Sequence, residues 1–335
     1  MCLSNDIALT NNGGDNHEKS TENHRKTLLG LLILLTIFLI IMTVYNQIML
    51  RKNRALYETP LGQLVEVDGH NMSLYTEGEG DHTIVFMSGW GTSSPILDFR
   101  CLYSHLSDEN KIAVVEKFGY GFSDVVDGER DFDTILRQDR EALQKADIKA
   151  PYILCAHSYS GYEAVLWAQK YPDEVEAIVG LDMCIPNGKE EDTIQTNAKL
   201  VGLVKFINRV SRYTGLVRIG SSEYSGTLTG EEEKIYTEIN AHILANDTMI
   251  NEMNPDYELD VIDELNASPL PTVPVLMYVS GDTAGQELWL SGTQAMVDAS
   301  SDGKLIKLDC GHYVYSFEYE RISKDMKEFI EGLGK

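Results

Sequence analysis

Ser158 is the residue whose surroundings best suit nucleophilic chemistry. It follows an apolar run, residues 152–155, and precedes a helical pattern that begins near Gly161. Small residues two positions before and after it, Ala156 and Ser160, give a relaxed form of G-x-S-x-G. In that nucleophile elbow, a sharp strand-to-helix turn exposes the serine hydroxyl. A serine between small residues at a helix start is also typical of an N-cap, so the segment alone leaves both interpretations open.

The elements that would position this serine follow from hydrophobic patterning. Short apolar or alternating runs predict strands at residues 63–67, 72–76, 83–87, 111–115, 152–155, 175–181, 275–279 and 304–308. Amphipathic segments near 96–106, 132–147, 160–171, 286–300 and 317–333 predict helices between and after the later strands. This alternation predicts a mostly parallel sheet with helices on both faces. Residues 185–270 interrupt it, and their helical period at 192–212 and 231–245 predicts a helical cap insertion.

Three further motifs follow predicted strands, at the edge where open α/β sheets place their sites. They are Ser88-Gly89-Trp90-Gly91, the run from Glu116 to Ser123, and Asp309-Cys310-Gly311-His312. Together with the Ser158 turn, their order resembles that of the α/β-hydrolase fold family, over residues 62–333. The chain departs from the family at Ser88, where histidine is frequent, and at Glu116, where aspartate is frequent. The resemblance implies an α/β-hydrolase fold of the serine hydrolase branch.

The resemblance also implies a role for each residue at these strand ends. Ser158 would attack a carbonyl carbon and form an acyl-enzyme, while His312 would take the serine proton and pass it to the leaving group. The backbone N–H groups of Trp90 and Tyr159 would form the oxyanion hole.

Two aspartates compete for the acidic member of the triad. Asp282 follows the seventh predicted strand, and the chain order Ser…Asp…His fits the family. The family often carries its acid about three residues beyond the preceding glycine, however, and Ala284 occupies that region here. Asp182, at the end of the sixth strand, is the rival, because some family members place the acid there. Either aspartate can also be a turn or cap residue, and we favour Asp282.

These residues predict hydrolysis of a carboxylic ester, with a thioester or an amide as variants. A serine nucleophile argues against the epoxide hydrolase and haloalkane dehalogenase branches, which attack with aspartate. Two alternatives stay open: a non-catalytic protein that binds a ligand or partner, and an acyltransferase that uses the same acyl-enzyme. The sequence has no C-x-x-C pair and no G-x-x-x-x-G-K loop, so no metal and no cofactor are expected. The expected partner of the site is a small-molecule acyl substrate.

An apolar segment precedes the predicted hydrolase domain, residues 55–335. Residues 28–50 contain no charged residue, and that length spans a bilayer. We therefore predict a single transmembrane helix over residues 27–50, after a polar and disordered tail over residues 1–26. A buried core helix would carry a polar face, and a cleaved signal peptide would have a shorter basic start.

The flanking charges do not decide the orientation of this helix. Three basic residues lie on each side of it: Lys19, Arg25 and Lys26 before it, and Arg51, Lys52 and Arg54 after it. A short tail before one signal-anchor helix favours a body outside the cytoplasm.

From residue 55 onward the chain carries 22 basic and 48 acidic residues. Such a body repels phosphate backbones, which excludes nucleic acid as an expected partner.

Overall fold

The protein is described by a computed structural model over residues 13–186, 191–220 and 227–333. In these ranges a single eight-stranded sheet has the order β1-β2-β4-β3-β5-β6-β7-β8. The strands are β1 (Gln63–Val67), β2 (His70–Glu77), β3 (Thr83–Met87), β4 (Lys111–Glu116), β5 (Tyr152–His157), β6 (Val175–Leu181), β7 (Val275–Val279) and β8 (Gly303–Lys307). The pairs β1–β2 and β2–β4 are antiparallel, and every other neighbouring pair is parallel. The predicted fold class is confirmed.

Two helices precede β1, and the other helices alternate with the strands after β3. They are α1 (Gly13–Lys52), α2 (Arg54–Glu58), α3 (Pro95–Asp98), α4 (Arg100–Tyr103), α5 (Phe132–Lys145), α6 (Ser160–Lys170), α7 (Glu191–Thr214), α8 (Val217–Gly220), α9 (Gly230–Ile243), α10 (Asp247–Glu252), α11 (Pro255–Asn266), α12 (Glu287–Ala299), α13 (Val314–Phe317) and α14 (Tyr319–Ile330). The helices α7 to α11 all lie between β6 and β7, where the break in the strand–helix alternation predicts a cap.

Both faces of the sheet are buried, because successive side chains of a strand point to opposite faces. In β5, Leu154 packs in a cluster with Leu136 of α5 and Leu166 of α6. Its neighbour Ile153 packs on the other face with residues of α4 and α14. Every residue of β3 and β5 is buried, and each aliphatic side chain of this kind stabilises the fold by about 1.5–3 kcal/mol. The ends of these strands are therefore fixed points from which a site can be built.

The cap is attached to the body by packing and by hydrogen bonds. Tyr236 and Ile239 of α9 form a cluster with Leu97 and Tyr120 of the body. The side-chain amide of Asn246, the N-cap residue of α10, donates to the carbonyl oxygen of Gly119 at 2.6 Å. These contacts hold the cap against the loop that follows β4.

The N-terminal helix α1 is longer than predicted. It begins at Gly13, so residues 13–26 of the expected polar tail are helical, and residues 1–12 of that tail lie outside the described residues. One stretch of it, Asn23–Lys52, is long and apolar enough to cross a membrane. Its large apolar side chains, among them Leu28, Leu34 and Ile41, are exposed. Length and composition alone give this result, and a signal sequence has the same properties.

Candidate active site

Ser158 lies on the sharp turn between β5 and α6. Its φ of 54° places it in the left-handed region, which a residue with a side chain occupies at a cost of about 1–2 kcal/mol. The turn is held from both sides, because the Ser160 hydroxyl donates to the carbonyl oxygen of Met87 at 2.8 Å and accepts from the backbone N–H of His157. Gly161 is required for space, since a Cβ there would lie 2.2 Å from the carbonyl oxygen of Cys184. The geometry of this turn therefore projects the Ser158 side chain out of the sheet.

Ser158 is hydrogen-bonded to His312, which follows β8. The Nε2 atom of His312 lies 2.8 Å from the Ser158 Oγ, and its Nδ1 atom lies 2.7 Å from Oδ2 of Asp182. The Asp182 side chain is fully buried, whereas the His312 side chain is 30% exposed. A hydroxyl, an imidazole and a buried carboxylate in one chain of hydrogen bonds can activate the hydroxyl as a nucleophile.

His312 Nδ1 contacts the carboxylate of Asp182 and not that of Asp282. The prediction of Asp282 as the triad acid is therefore corrected. Strand register explains the result: His157 pairs with Leu181, so Ser158 and Asp182 occupy matching positions just beyond adjacent strands. Asp282 follows β7, which is one strand further from β5. It is exposed, and its Oδ2 accepts a hydrogen bond from the backbone N–H of His312 at 3.1 Å instead. Asp282 therefore holds the histidine loop and does not contact the imidazole ring.

The second oxygen of Asp182 has three donors of its own. The backbone N–H of Ser280, the hydroxyl of Thr283 and the indole Nε1 of Trp289 donate to Oδ1 at 3.2, 2.5 and 3.1 Å. Burial acts to raise the pKa of Asp182, but hydrogen bonds from His312, Ser280 and Thr283 outweigh it and hold that pKa below its ordinary value. Asp182 is therefore ionised at neutral pH despite its burial. No sequence pattern indicates a role for Thr283 or Trp289, which lie beyond the predicted strand end.

The histidine next to the serine, His157, has a packing role. Its ring is buried and lies 4.8 Å from the ring of His312 and 4.9 Å from that of Tyr313. Burial, and then the proximity of His312, lower the pKa of His157 to about 3. It is therefore neutral under physiological conditions and places no second positive charge beside His312.

The loop after β3 approaches the nucleophile closely. A Cβ on Gly89 would lie 2.8 Å from the Cβ of Ser158, so only glycine allows this contact. The next residue, Trp90, donates its indole N–H to the carbonyl oxygen of Met249 in α10 at 2.6 Å. In the described ranges, the backbone N–H groups of Trp90 and Tyr159 make no hydrogen bond to the protein.

Glu116, where the chain departs from the family pattern, holds the loop that follows β4. Its carboxylate accepts the backbone N–H of Phe122 at 2.8 Å, and a Cβ on Gly121 would lie 1.9 Å from its Cδ. Gly121 has a φ of 52°, so both conformation and space require glycine opposite this longer acid. Burial raises the pKa of Glu116 to about 7.

A buried ion pair between cap and body is also not indicated by any sequence pattern. Lys117, directly after β4, lies 2.6 Å from Oε1 of Glu252 at the end of α10. The Tyr120 hydroxyl donates to the other carboxylate oxygen at 2.8 Å. The two charged side chains are only 4% and 1% exposed, so this pair ties α10, and with it the partner of the Trp90 indole, to the sheet.

Comparison with solved structures identifies the fold. The epoxide hydrolase CorEH is 17% identical with a TM-score of 0.61, and the match covers 81% of this chain and 98% of that protein. A thermophilic esterase from Thermogutta terrifontis is 17% identical with a TM-score of 0.60, and the match covers 82% of this chain and all of the esterase, 100%. At this identity the likeness establishes the α/β-hydrolase fold and leaves the reaction open.

Comparison with known sequences is more specific. No family model matches the chain. The uncharacterized protein YbdG of Bacillus subtilis (strain 168) is 35% identical over 304 residues, which cover 86% of this chain and 90% of YbdG. The chain therefore belongs to the YbdG family of α/β-hydrolase-fold proteins.

Proposed function

We propose that this protein is a membrane-anchored serine hydrolase that cleaves a carboxylic ester through an acyl-enzyme on Ser158. The observation that carries the proposal is the hydrogen-bonded chain from Ser158 through His312 to Asp182, at 2.8 and 2.7 Å. A protein that only binds a ligand has no use for a serine, an imidazole and a buried carboxylate in this order. The esterase among the proteins of similar fold supports an ester as the substrate.

In the proposed reaction the Ser158 Oγ attacks the ester carbonyl carbon while His312 Nε2 takes its proton. The tetrahedral intermediate collapses, the C–O bond to the alcohol breaks, and the imidazolium gives its proton to the departing alkoxide. Water then attacks the acyl-enzyme, again with His312 as the base, and releases the carboxylic acid and Ser158. Asp182 accepts a hydrogen bond from the Nδ1–H group of His312 throughout, which fixes the tautomer and stabilises the imidazolium.

The negative charge of each tetrahedral intermediate needs donors next to Ser158. We assign this role to the backbone N–H groups of Trp90 and Tyr159. Three observations support the assignment: both groups make no other hydrogen bond within the described ranges, Tyr159 follows the nucleophile directly, and the neighbour of Trp90 touches Ser158. Each such donor contributes about 10²–10³ in rate in hydrolases of this kind.

We assign α1 as the anchor, with its apolar segment spanning the bilayer. Its exposed leucines and isoleucines have no protein surface to pack against in the described structure, which is costly in water and favourable in lipid. Extraction of membranes with alkaline carbonate should leave the protein in the pellet.

We place the body from residue 55 outside the cytoplasm, so protease added to intact spheroplasts should digest it. Protection of the body would reverse that orientation.

A fluorophosphonate probe tests the catalytic proposal directly. The probe should label the wild-type protein and should not label Ser158→Ala. Ser291→Ala, which removes an exposed serine on α12, is the matched control and should label like the wild type. Absence of labelling in folded wild-type protein, or equal labelling of Ser158→Ala, would show that Ser158 is not an activated nucleophile. A series of p-nitrophenyl esters of increasing acyl length would then measure hydrolysis.

A further inference from the structure

The last four turns of α1 pack against the cap along one face. Partly or fully buried residues recur there at spacings of three and four: Leu39, Met42, Thr43, Asn46, Met49 and Leu50. In an α-helix this spacing marks a single face. The first of these residues lies inside the apolar run of α1 that ends at Val44, and the last lies in the uncharged stretch that continues to Leu50.

A buried polar cluster fixes α1 to three cap elements. Asn46, which is 1% exposed, donates to the carbonyl oxygen of Arg212 in α7 at 2.9 Å and accepts from Nε of Arg218 in α8 at 2.7 Å. Arg218 in turn forms two 2.7 Å hydrogen bonds with Glu238 of α9. Asn53, just after α1, donates to the same carboxylate at 2.7 Å. The cap therefore has a fixed position relative to α1.

This attachment sets the depth of the cap in a bilayer, and the inference rests on the proposed anchoring of α1. The uninterrupted apolar run ends at Val44, and Asn46, only two residues later, contacts Arg212 and Arg218 of the cap. At 1.5 Å per residue, those two residues correspond to about 3 Å of helix. If the run spans the hydrocarbon core, the cap surface beside Asn46 lies in the bilayer interface.

The two cap helices that contact Asn46 of α1, α7 and α8, expose large apolar side chains. Six large hydrophobic residues between positions 203 and 219 are exposed: Leu203, Val204, Phe206, Ile207 and Tyr213 on α7, and Ile219 on α8. Outside α1, the described chain exposes three others, at Leu64, Val125 and Phe317. A concentration of this kind on one helix marks an interaction surface.

The charge of this segment also differs from that of the body. Residues 201–219 contain four basic residues and no acidic residue, within a body of 48 acidic and 22 basic residues. Arg209 and Arg218 are paired with Asp247 and Glu238, so the segment is not a strong positive patch. Its own sequence nevertheless presents no carboxylate to anionic lipid headgroups. An apolar face without acidic residues is typical of a helix that lies in the membrane interface.

We propose that the exposed face of α7 and α8 is inserted in the interface of the leaflet from which α1 emerges. The bilayer, and not a second protein, is the occupant of this face, because α8, which carries the exposed Ile219, is bound through Arg218 to Asn46 of the proposed transmembrane helix. The inserted helix is also linked to the site: Lys205 of α7 donates to the carbonyl oxygen of Met253 at 2.7 Å, just beyond the α10 residue that holds the Trp90 indole.

Lipid quenching of tryptophan fluorescence tests the insertion. Full-length Phe206→Trp is reconstituted in vesicles whose lipids are brominated near the top of the acyl chains, and the emission of the three native tryptophans, measured in wild-type protein, is subtracted. The added Trp should lose at least about half of its emission. Leu64→Trp, at an exposed apolar position on the sheet edge strand β1, is the matched control and should not be quenched.

The outcomes separate this inference from the anchor itself. If the vesicles retain the protein through alkaline carbonate but the Phe206→Trp emission is unquenched, the cap does not insert and the anchor stands. A blue-shifted and unquenched emission, together with a dimer in cross-linking, would show that a second copy covers the face and would overturn the inference. Loss of the protein from the vesicles would refute the anchor instead. Labelling of Ser158 by fluorophosphonate is independent of all three results.

Discussion

The indole Nε1 of Trp289 donates a 3.1 Å hydrogen bond to Oδ1 of Asp182. The other oxygen of the same carboxylate lies 2.7 Å from His312 Nδ1, and the indole ring stands edge-on to the imidazole with 5.9 Å between ring centroids. One side chain from α12 therefore contacts both the acid at the end of β6 and the base after β8. It therefore helps to hold the carboxylate in place beside the imidazole.

Trp289→Phe should reduce kcat by about tenfold with little change in KM. The ring that packs beside His312 is kept, while one charge-assisted hydrogen bond, worth about 1.5–3 kcal/mol, is lost. The loss falls short of that full value because Ser280 and Thr283 still donate to the same oxygen. Steady-state kinetics on a p-nitrophenyl ester would measure both parameters.

The matched control for Trp289→Phe is Trp167→Phe, whose indole N–H donates to Glu174 at 2.9 Å, away from the triad. Both variants lose one indole hydrogen bond. Only the first should lower kcat at a temperature where both are folded. Equal kcat values for the two variants would mean that Trp289 does not position the acid.

Asp182→Asn should lower kcat/KM by about 10³–10⁴. An amide at this position cannot balance the imidazolium charge and favours the wrong tautomer of the histidine, which costs about 10⁴ in rate in a serine protease with this arrangement. Asp282→Asn is the matched control, because it only alters a hydrogen bond to the His312 backbone N–H, and its kcat/KM should stay within about threefold of wild type. The reverse ranking would restore Asp282 as the acid.

The fold was predictable from local sequence because each core strand is an apolar run with its own boundaries. Four of the predicted strands, including Thr83–Met87 and Val175–Leu181, match the structure at both ends. The strand-end motifs placed Ser158 and His312 in one region for the same reason. The acid was not predictable, since Asp182 and Asp282 both follow an apolar strand. Only the strand order, which puts β6 between β5 and β7, distinguishes them.

Contacts made by the cap were also beyond prediction, because they join residues far apart in sequence. Asn46 and Arg218 are 172 positions apart, and nothing local to either residue indicates a partner. The same is true of Lys117 and Glu252, which are 135 positions apart. Such pairs depend on the packing of whole helices, and hydrophobic periodicity gives no measure of it.

Lys117→Met should destabilise the protein by about 3–5 kcal/mol, because it leaves the Glu252 carboxylate buried without its cation. The double variant Lys117→Met/Glu252→Gln should recover most of the loss, since it removes the uncompensated charge and keeps an acceptor for Tyr120. Lys324→Met, in an exposed pair with Glu328, should change stability by less than about 1 kcal/mol. Denaturant unfolding of the three variants would decide. A double variant as unstable as Lys117→Met would contradict this account of the ion pair.

Asp98→Asn should flatten the loss of stability that occurs as pH rises from about 4 to about 8. Asp98 in α3 is buried, and burial raises its pKa to about 8 against an opposing hydrogen bond from Tyr236 of the cap. Between its ordinary pKa and about 8, the unfolded chain has lost this proton while the folded protein keeps it. The wild type therefore loses up to about 1.4 kcal/mol per pH unit from this group as pH rises. Glu116 acts in the same direction in both proteins, so the difference between the two isolates Asp98. Thermal unfolding at pH 6, 7 and 8 should show a smaller decrease in Tm for Asp98→Asn, and parallel curves would show that Asp98 is already ionised in the folded state.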